Sequence, residues 1–370
     1  MTIDPRIALQ SLAMTPLVIP FTTRFRHASA ERGETSSVVV TATTAAGIVG
    51  TGEGCPRPYV TAETVASALA FFAAHRLSLG QVQSLEALAA WTEAHTAAID
   101  RNPAAWCAVE LALLDALGRT AGVPLEPLVG LTPLDGVFRY SAVLGDMAPE
   151  AFGQLAARYH TMGLRDFKVK LSGDLVRDRA KLAALALLEG PVRVRVDANN
   201  LWPEVTAAAA FLDGLGTQLF AVEEPLAPAG RVEDLARLAD VLDTPVVVDE
   251  SVTTAAAVSA LPPPGARWIV NLRVSKMGGI RRSLAVVDAA RTAGVRVIVG
   301  AQVGETSRLT RAGLTVAHAA GSNLVAQEGA FGTLLLTYDV CDPPLMFGAG
   351  GRLDVRDHPQ LLAPGLGIER

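Results

Sequence analysis

Aromatic and charged residues are scarce in this chain of 370, at 5% and 19%, where ordinary soluble domains carry about 25% charged residues. With a formal charge of −5 and no basic run, nucleic acid and anionic membrane surfaces are excluded as expected partners. Only three cysteines occur, Cys55, Cys107 and Cys341, with no Cys-x-x-Cys pair. That excludes a disulfide framework and fits reduced thiols in a cytoplasm. No apolar run approaches the ~20 residues of a membrane-spanning helix. Asp4 and Arg6, followed by Pro16 and Pro20, make a poor secretory leader. Half the residues are hydrophobic, so a large core is available. The low charge points to surface buried between subunits of a homo-oligomer.

What is present is concentrated between Lys168 and Lys276. Short β-branched or apolar runs (DFKVK, VRVRVD, LFAVEE, PVVVDE, WIVNLRVSK) each end in a polar cluster, with Ala/Leu-rich helical segments between them. This βαβα pattern implies a parallel sheet. Charges at successive strand ends point to the C-terminal mouth of a (β/α) barrel. Glu223 follows Asp197 by 26 positions, and Asp249 follows Glu223 by 26. Three carboxylates converging from adjacent strands would repel by several kcal/mol if unneutralised. A hard divalent cation resolves this, and an all-oxygen set suits Mg²⁺. Lys168 and Lys170 precede the trio and Lys276 follows it.

These residues resemble the enolase superfamily, and most closely its muconate-lactonizing-enzyme subgroup within the mandelate racemase/muconate lactonizing enzyme family. That subgroup has Lys-x-Lys on the second barrel strand, Asp, Glu and Asp on the third to fifth, and Lys on the sixth. The resemblance spans nearly the whole chain. It implies a modified TIM barrel, (β/α)7β, with an N-terminal α+β capping domain completed by the C-terminal segment. It further implies Mg²⁺, with Mn²⁺ as a substitute, on Asp197, Glu223 and Asp249, and acid/base lysines at Lys170 and Lys276. Lys168 would orient Lys170 and help neutralise an enediolate. At the sixth strand the usual first lysine is Arg273, which keeps the charge but cannot deprotonate. The dipeptide epimerases of the superfamily carry Asp-x-Asp on the eighth strand. Here Glu328 is the only acid there, which weakens a dipeptide assignment.

Taken in order, the chain predicts a strand over Ile7–Phe25, a hairpin over Ser36–Val49, and loops at Thr22–Ala28 and at Gly52–Val60. Helices are expected from about Ala62 to Ala74, from Leu85 to Ile99, and after an Asn102 N-cap up to Gly122, the last with a buried stripe through Val109, Leu113 and Leu117. Glu110 and Asp115 on that helix read as structural. The expected units are 1–135 (capping), 136–330 (barrel) and 331–370 (returning segment). Barrel strands are expected at Phe138–Leu144, Asp166–Leu171, Val192–Ala198, Leu219–Glu224, Val246–Glu250, Trp268–Val274, Val295–Ala301 and Leu324–Glu328. Arg193, Arg195 and Asp197 share one strand face, so both arginines should point inward with Asp197. Arg24 and Tyr59 lie in loops that reach the site or simply turn. Asn199 supports the ligands or turns the chain. Glu250 sits beside the mouth, against Lys276. Gln302 and Glu328 lie at the specificity ends, and Glu305 reads as a helix N-terminal charge more than as a partner of the site.

The implied chemistry is removal of a proton alpha to a carboxylate, through an enediolate stabilised by the cation and by nearby ammonium groups. A lysine on either side permits racemisation or epimerisation, or cycloisomerisation with one lysine idle, of an acyl-amino acid, dipeptide or muconate-like small carboxylate. Syn-elimination by a dehydratase is the alternative. It is disfavoured because no His lies near Val295–Glu305. A non-catalytic binding protein on the same frame is the remaining reading.

Overall fold

The computed structural model describes residues 5–27, 30–227 and 231–368, with side chains described there except at 24–27 and 30–31. Five strands open the chain: β1 (Leu9–Leu17), β2 (Pro20–His27), β3 (Ala30–Glu34), β4 (Ser37–Thr44) and β5 (Val49–Gly54). β1, β4 and β5 form an antiparallel sheet, and β2 pairs with β3 as a separate hairpin. The single strand expected over Ile7–Phe25 is therefore two. Ile19, between them, exchanges hydrogen bonds with Thr35, through the Thr35 hydroxyl at 3.0 Å and its amide at 2.9 Å.

Gly52–Gly54 is strand, not the expected loop. Glycine usually signals a turn, but here the missing side chains let β5 lie directly on the helix Pro103–Ala121. Added Cβ atoms at Gly50, Gly52 and Gly54 would stand 2.3, 2.2 and 1.9 Å from the carbonyl oxygens of Ala112, Ala108 and Ala104. A period of two on the strand thus meets a period of four on the helix. That helix is buried on every side from Pro103 to Gly118, rather than along one stripe. Its N-terminus is capped by the Glu63 carboxylate, which accepts from Ala104 and Ala105 amides at 2.8 and 2.9 Å. The Asn102 side chain does not cap it and instead donates to the Ala98 carbonyl at 3.3 Å.

The barrel follows as β6 (Val137–Arg139), β7 (Ala142–Leu144), β8 (Asp166–Lys170), β9 (Arg193–Asp197), β10 (Ala221–Glu223), β11 (Val246–Val248), β12 (Trp268–Arg273), β13 (Arg296–Gly300) and β14 (Leu324–Gln327). β7 to β14 make one eight-stranded parallel sheet in chain order. A Ser141 amide to Gln327 carbonyl bond of 2.7 Å joins its first strand to its last. The expected strand Phe138–Leu144 is split because β6 pairs antiparallel with β15 (Arg352–Asp354) instead. Alternate side chains pack outward against the helices, including Phe167, Val169, Val196, Val222, Val248, Val270 and Val299. The inward apolar layer is small: Ala221, Val247, Ile269, Ile298 and Ala326. Two residues further along β10, β11, β12 and β14 come Glu223, Asp249, Asn271 and Glu328, all buried. The strand period of two therefore fixes which groups face the mouth.

The final segment reaches back to the N-terminal unit. Asp115 accepts from the Leu366 amide at 2.9 Å and the Thr51 amide at 2.9 Å. Glu110 accepts from the Ile280 amide at 2.5 Å, fastening the long helix to the barrel. No helix among the described residues is long and apolar enough to cross a membrane.

Overpacking a tight contact typically costs 1–3 kcal/mol. Gly52→Ala should therefore lower the urea midpoint by about 2 kcal/mol of stability. Gly153→Ala, whose new Cβ would meet only Ala184 Cβ at 3.6 Å, should be neutral or slightly stabilising, as alanine favours helix over glycine. Equal losses in the two variants would contradict this packing.

Candidate active site

Lys168 and Lys170 alternate along β8 and both face the barrel interior. The Lys168 ammonium lies 2.6 Å from Glu223 Oε1, 3.0 Å from Asp197 Oδ2 and 3.3 Å from Glu328 Oε1. Lys170 donates to Asp197 Oδ2 at 2.5 Å and to Asn199 Oδ1 at 3.0 Å. Burial works against the Lys168 charge, but Asp197, Glu223 and Glu328 outweigh it and raise its pKa. Burial likewise opposes ionisation of Asp197, yet Lys168 and Lys170 hold its carboxyl well below the usual range. For Glu223 burial wins, and its pKa rises despite Lys168.

Lys276 stands in a short helical turn, Val274–Met277, just past β12. Its ammonium donates to Asp249 Oδ1 at 2.9 Å and to the carbonyls of Asp249, Asn271 and Val252 at 2.6, 2.8 and 3.2 Å. Burial, then the neighbouring Arg273 guanidinium, bring its pKa down to about 7. Arg273 pairs with Asp249 Oδ2 and donates to Gln302 Oε1 at 2.8 Å. Gly279, at φ 99, passes so close to Glu110 that a Cβ would stand 2.1 Å from its Oε2, a close backbone approach that glycine allows.

Asp197, Glu223 and Asp249 face inward on adjacent strands, with Glu223 paired to Asp197 in register. They are not gathered into one cluster, contrary to expectation. Among the described residues no group of three His, Cys, Asp or Glu side chains is placed to hold a metal ion. The reason is electrostatic: Asp197 and Glu223 close on Lys168, with Lys170 also on Asp197, while Asp249 closes on Arg273 and Lys276, and these pairings offset the cost of burial. The donor set still fits a divalent ion. It is all oxygen, and Glu223 Oε2 is buried with no hydrogen-bond partner, an acceptor that a cation would satisfy.

The other anticipated residues divide. Asn199, at φ 47, both turns the chain and bonds Lys170. Glu250 lines the cavity, but Lys276 bonds Asp249 instead, because Asp249 shares the inward face. Burial pushes Glu250 up to about 7. Glu328 is engaged by Arg195 at 2.7 Å as well as by Lys168. Burial opposes its charge, but Lys168 and Arg195 bring its pKa to about 2. Glu305 turns back to accept from the Gln302 amide at 2.7 Å, so it is no simple helix-end charge. Arg195 points inward, whereas Arg193, at the opposite strand end, is exposed and stacks 4.2 Å from the Phe220 ring centroid. The backbone of Arg24 lies in β2, not in a loop, and its side chain falls outside the described residues. Tyr59, in the short helix Pro58–Thr61, lines the cavity with the Arg32 guanidinium 5.6 Å from its ring centroid.

A cavity of about 650 Å³ lies at the C-terminal ends of the strands, and Asp197, Glu223, Asp249 and Lys276 lie outside its lining. Lys168, Lys170, Asn199, Glu250, Arg273, Gln302 and Glu328 form its polar side. Met147, Leu155, Tyr159, Phe331, Leu334 and Leu335 form an apolar one. A second hollow of about 720 Å³ lies at the opposite strand ends, around Phe138, Arg165 and Arg193, away from all of these lysines. Two contributors were not singled out from the sequence. Asn271 donates to Glu223 Oε1 at 3.0 Å, and its position two residues before Arg273 was the available signal. Arg57, fully buried, donates to the Val303 carbonyl at 2.6 Å, and no sequence signal distinguishes it from a surface arginine.

Residues 11–130 match the model of the mandelate racemase/muconate lactonizing enzyme N-terminal domain, and residues 151–370 match that of the enolase C-terminal domain-like family. A chloromuconate cycloisomerase from Cupriavidus pinatubonensis is 30% identical over 352 residues, covering 90% of this chain and 88% of that protein. The crystal structure of a dipeptide epimerase from Enterococcus faecalis with Mg and L-Leu-L-Tyr superposes with a TM-score of 0.85 at 25% identity, covering 98% of this chain and 100% of that one. That of a muconate lactonizing enzyme from Pseudomonas fluorescens with muconolactone gives a TM-score of 0.87 at 25% identity, covering 98% and 97%.

Removing one partner of a buried charge pair typically costs 3–5 kcal/mol. Lys168→Met, unfolded by urea with EDTA present, should lose about that much at pH 8. Without the ammonium, Glu223, which burial already raises, titrates further above its unfolded value, while Asp197 keeps Lys170. The deficit should therefore shrink as pH falls to 5 and Glu223 takes up a proton. A deficit that grows on acidification would refute the arrangement.

Proposed function

The chain belongs to the mandelate racemase/muconate lactonizing enzyme family and is an isomerase, and on that premise we propose that it racemises, epimerises or cycloisomerises a small carboxylate by moving its alpha proton. The observation that carries this reading is the placement of Lys170 and Lys276. They stand on β8 and just past β12, the second and sixth of eight strands, so they come from opposite sides of the barrel axis. An alpha proton on either face of a substrate held between them has an amine to go to.

Asp197, Glu223 and Asp249 would hold Mg²⁺. When bound, it supplies positive charge for the substrate carboxylate as negative charge builds on it. This chain's own groups do the rest. Lys170 takes or returns the proton on one side, with Asn199 and Asp197 fixing its ammonium. Lys276, brought to about 7 by burial and by Arg273, has a neutral fraction near physiological pH and can act as base. It must first leave the Asp249 carboxylate. Lys168 and Arg273 place fixed positive charge beside the developing anion. The apolar wall from Met147 to Leu335 excludes water and takes the hydrocarbon part of the substrate.

Glu328 is held by Lys168 and Arg195, so the eighth strand offers no free carboxylate to a substrate ammonium. This favours an acylated amino acid or a muconate-like acid over a dipeptide with a free amino terminus.

The test is alpha-proton exchange in D₂O with Mg²⁺, over N-acyl amino acids, dipeptides and muconolactone, whose saturated alpha carbon carries the proton that cis,cis-muconate gains when it cyclises. A positioned general base contributes about 10²–10⁴-fold, so Lys170→Ala and Lys276→Ala should each lose about that much in exchange from one face, with folding retained. The Lys276-dependent face should gain rate as pH rises through about 7, because deprotonation creates the base. Asp197→Asn should abolish Mg²⁺ binding by calorimetry. Absence of exchange across the panel from a Mg²⁺-loaded chain would defeat the reading.

A further inference from the structure

Arg57 is fully buried, in the loop between β5 and the helix Pro58–Thr61 rather than at a barrel strand end. Its Nη1 donates to the carbonyls of Ser36 at 2.9 Å and Pro56 at 2.7 Å, and its Nη2 to the Val303 carbonyl at 2.6 Å. These acceptors belong to three separate segments: the start of β4, the end of β5, and the loop after β13. A guanidinium can serve three diverging acceptors because its donors form a rigid planar fork, which an ammonium on a flexible stem lacks.

The loop Gln302–Thr306 is gripped from the N-terminal unit at two further points. Glu53 accepts from the Thr306 amide at 3.3 Å and from its hydroxyl at 2.5 Å. Phe21 packs on Gly304, at φ 90, where an added Cβ would stand 2.8 Å from the ring. At the loop's near end Gln302 lines the cavity and accepts from Arg273, and Arg273 pairs with Asp249. Arg57 thus connects through Val303 to Gln302, and so to Arg273.

We propose that Arg57 is a positioning residue: its buried guanidinium locks the Gln302–Thr306 loop to the N-terminal unit, and through Gln302 it sets where Arg273 points in the cavity. It touches no reacting atom. The N-terminal unit thereby governs the charge geometry of a barrel residue through the loop after β13.

Hydrogen–deuterium exchange of the whole chain tests the tie without any substrate. In Arg57→Lys, amides from Val303 to Thr306 should exchange at least about tenfold faster, as expected where local opening becomes easier, while those of β13 keep their protection. The kinetic arm rests on the reaction proposed above and uses the panel member that exchanges with the unmutated chain. There R57K should lower kcat/KM by about tenfold or more, since small misplacements near a reacting centre are costly. R57K/Q302L should be no worse than Q302L alone. Unchanged loop exchange in a folded R57K, or additive kinetic losses, would overturn the proposal. So would global unfolding of R57K, which would make Arg57 a support of the whole core. If no panel member reacts, the exchange arm still decides, so failure of this tie and failure of the reaction are told apart.

Discussion

The contact on which the site depends is the Lys168 ammonium among Asp197, Glu223 and Glu328. Three carboxylates inside a barrel cannot remain ionised together without a counter-charge. Desolvating each ion costs several kcal/mol, and close, well-aligned pairing is what repays it. The small apolar layer at Ala221, Val247, Ile269, Ile298 and Ala326 leaves the rest of the barrel axis to charged groups. The site is therefore a balanced column of ions, with Arg195 and Arg273 completing it at either side. The same arrangement that keeps the fold from repelling itself leaves Glu223 Oε2 without a partner and Lys276 with a depressed pKa. Those are the two properties that a metal-assisted proton transfer uses.

The N-terminal unit is more than a cover. β5 lies on the helix Pro103–Ala121 through glycines that leave no room for side chains, and Glu110 ties that helix to the barrel helix starting at Ile280. From the end of β5, the Cys55 amide donates to Ser275, the neighbour of Lys276, at 2.8 Å. Glu53, Phe21 and Arg57 hold the loop after β13. Both the sixth-strand lysine and the seventh-strand glutamine are thus braced by one unit, the kind of support that the proposed reaction would need to keep its groups in place.

The cavity is divided by chemistry. One side carries ammonium, guanidinium and carboxyl groups, and the other carries Met147, Leu155, Tyr159, Phe331, Leu334 and Leu335. For the proposed reaction, such a division would orient a small amphipathic acid with its carboxylate toward the lysines. The engagement of Glu328 by Arg195 narrows what can lie at the eighth strand, because a carboxylate already shared by two cations gains little from a third.

Much of this was legible from the residues in order. Alternating β-branched runs and Ala/Leu helices fix a parallel barrel, because side-chain period and burial follow directly from backbone geometry. The spacing of Asp197, Glu223 and Asp249 fixes which groups enter the mouth. Short-range pattern failed where a residue's partner lies far along the chain. Gly52 and Gly54 read as a turn until the helix fifty residues on is placed against them, and Asn102 read as a cap until Glu63 takes that role. Glu250 and Glu305 could be located but not paired, and Arg57 gave no signal. Residue order was enough for the fold class, the inward set of lysines and carboxylates, and the family. Which cations each carboxylate meets and which loops Arg57 joins emerge only in the assembled fold, because ion pairing and hydrogen bonding depend on distances between segments that no local period encodes.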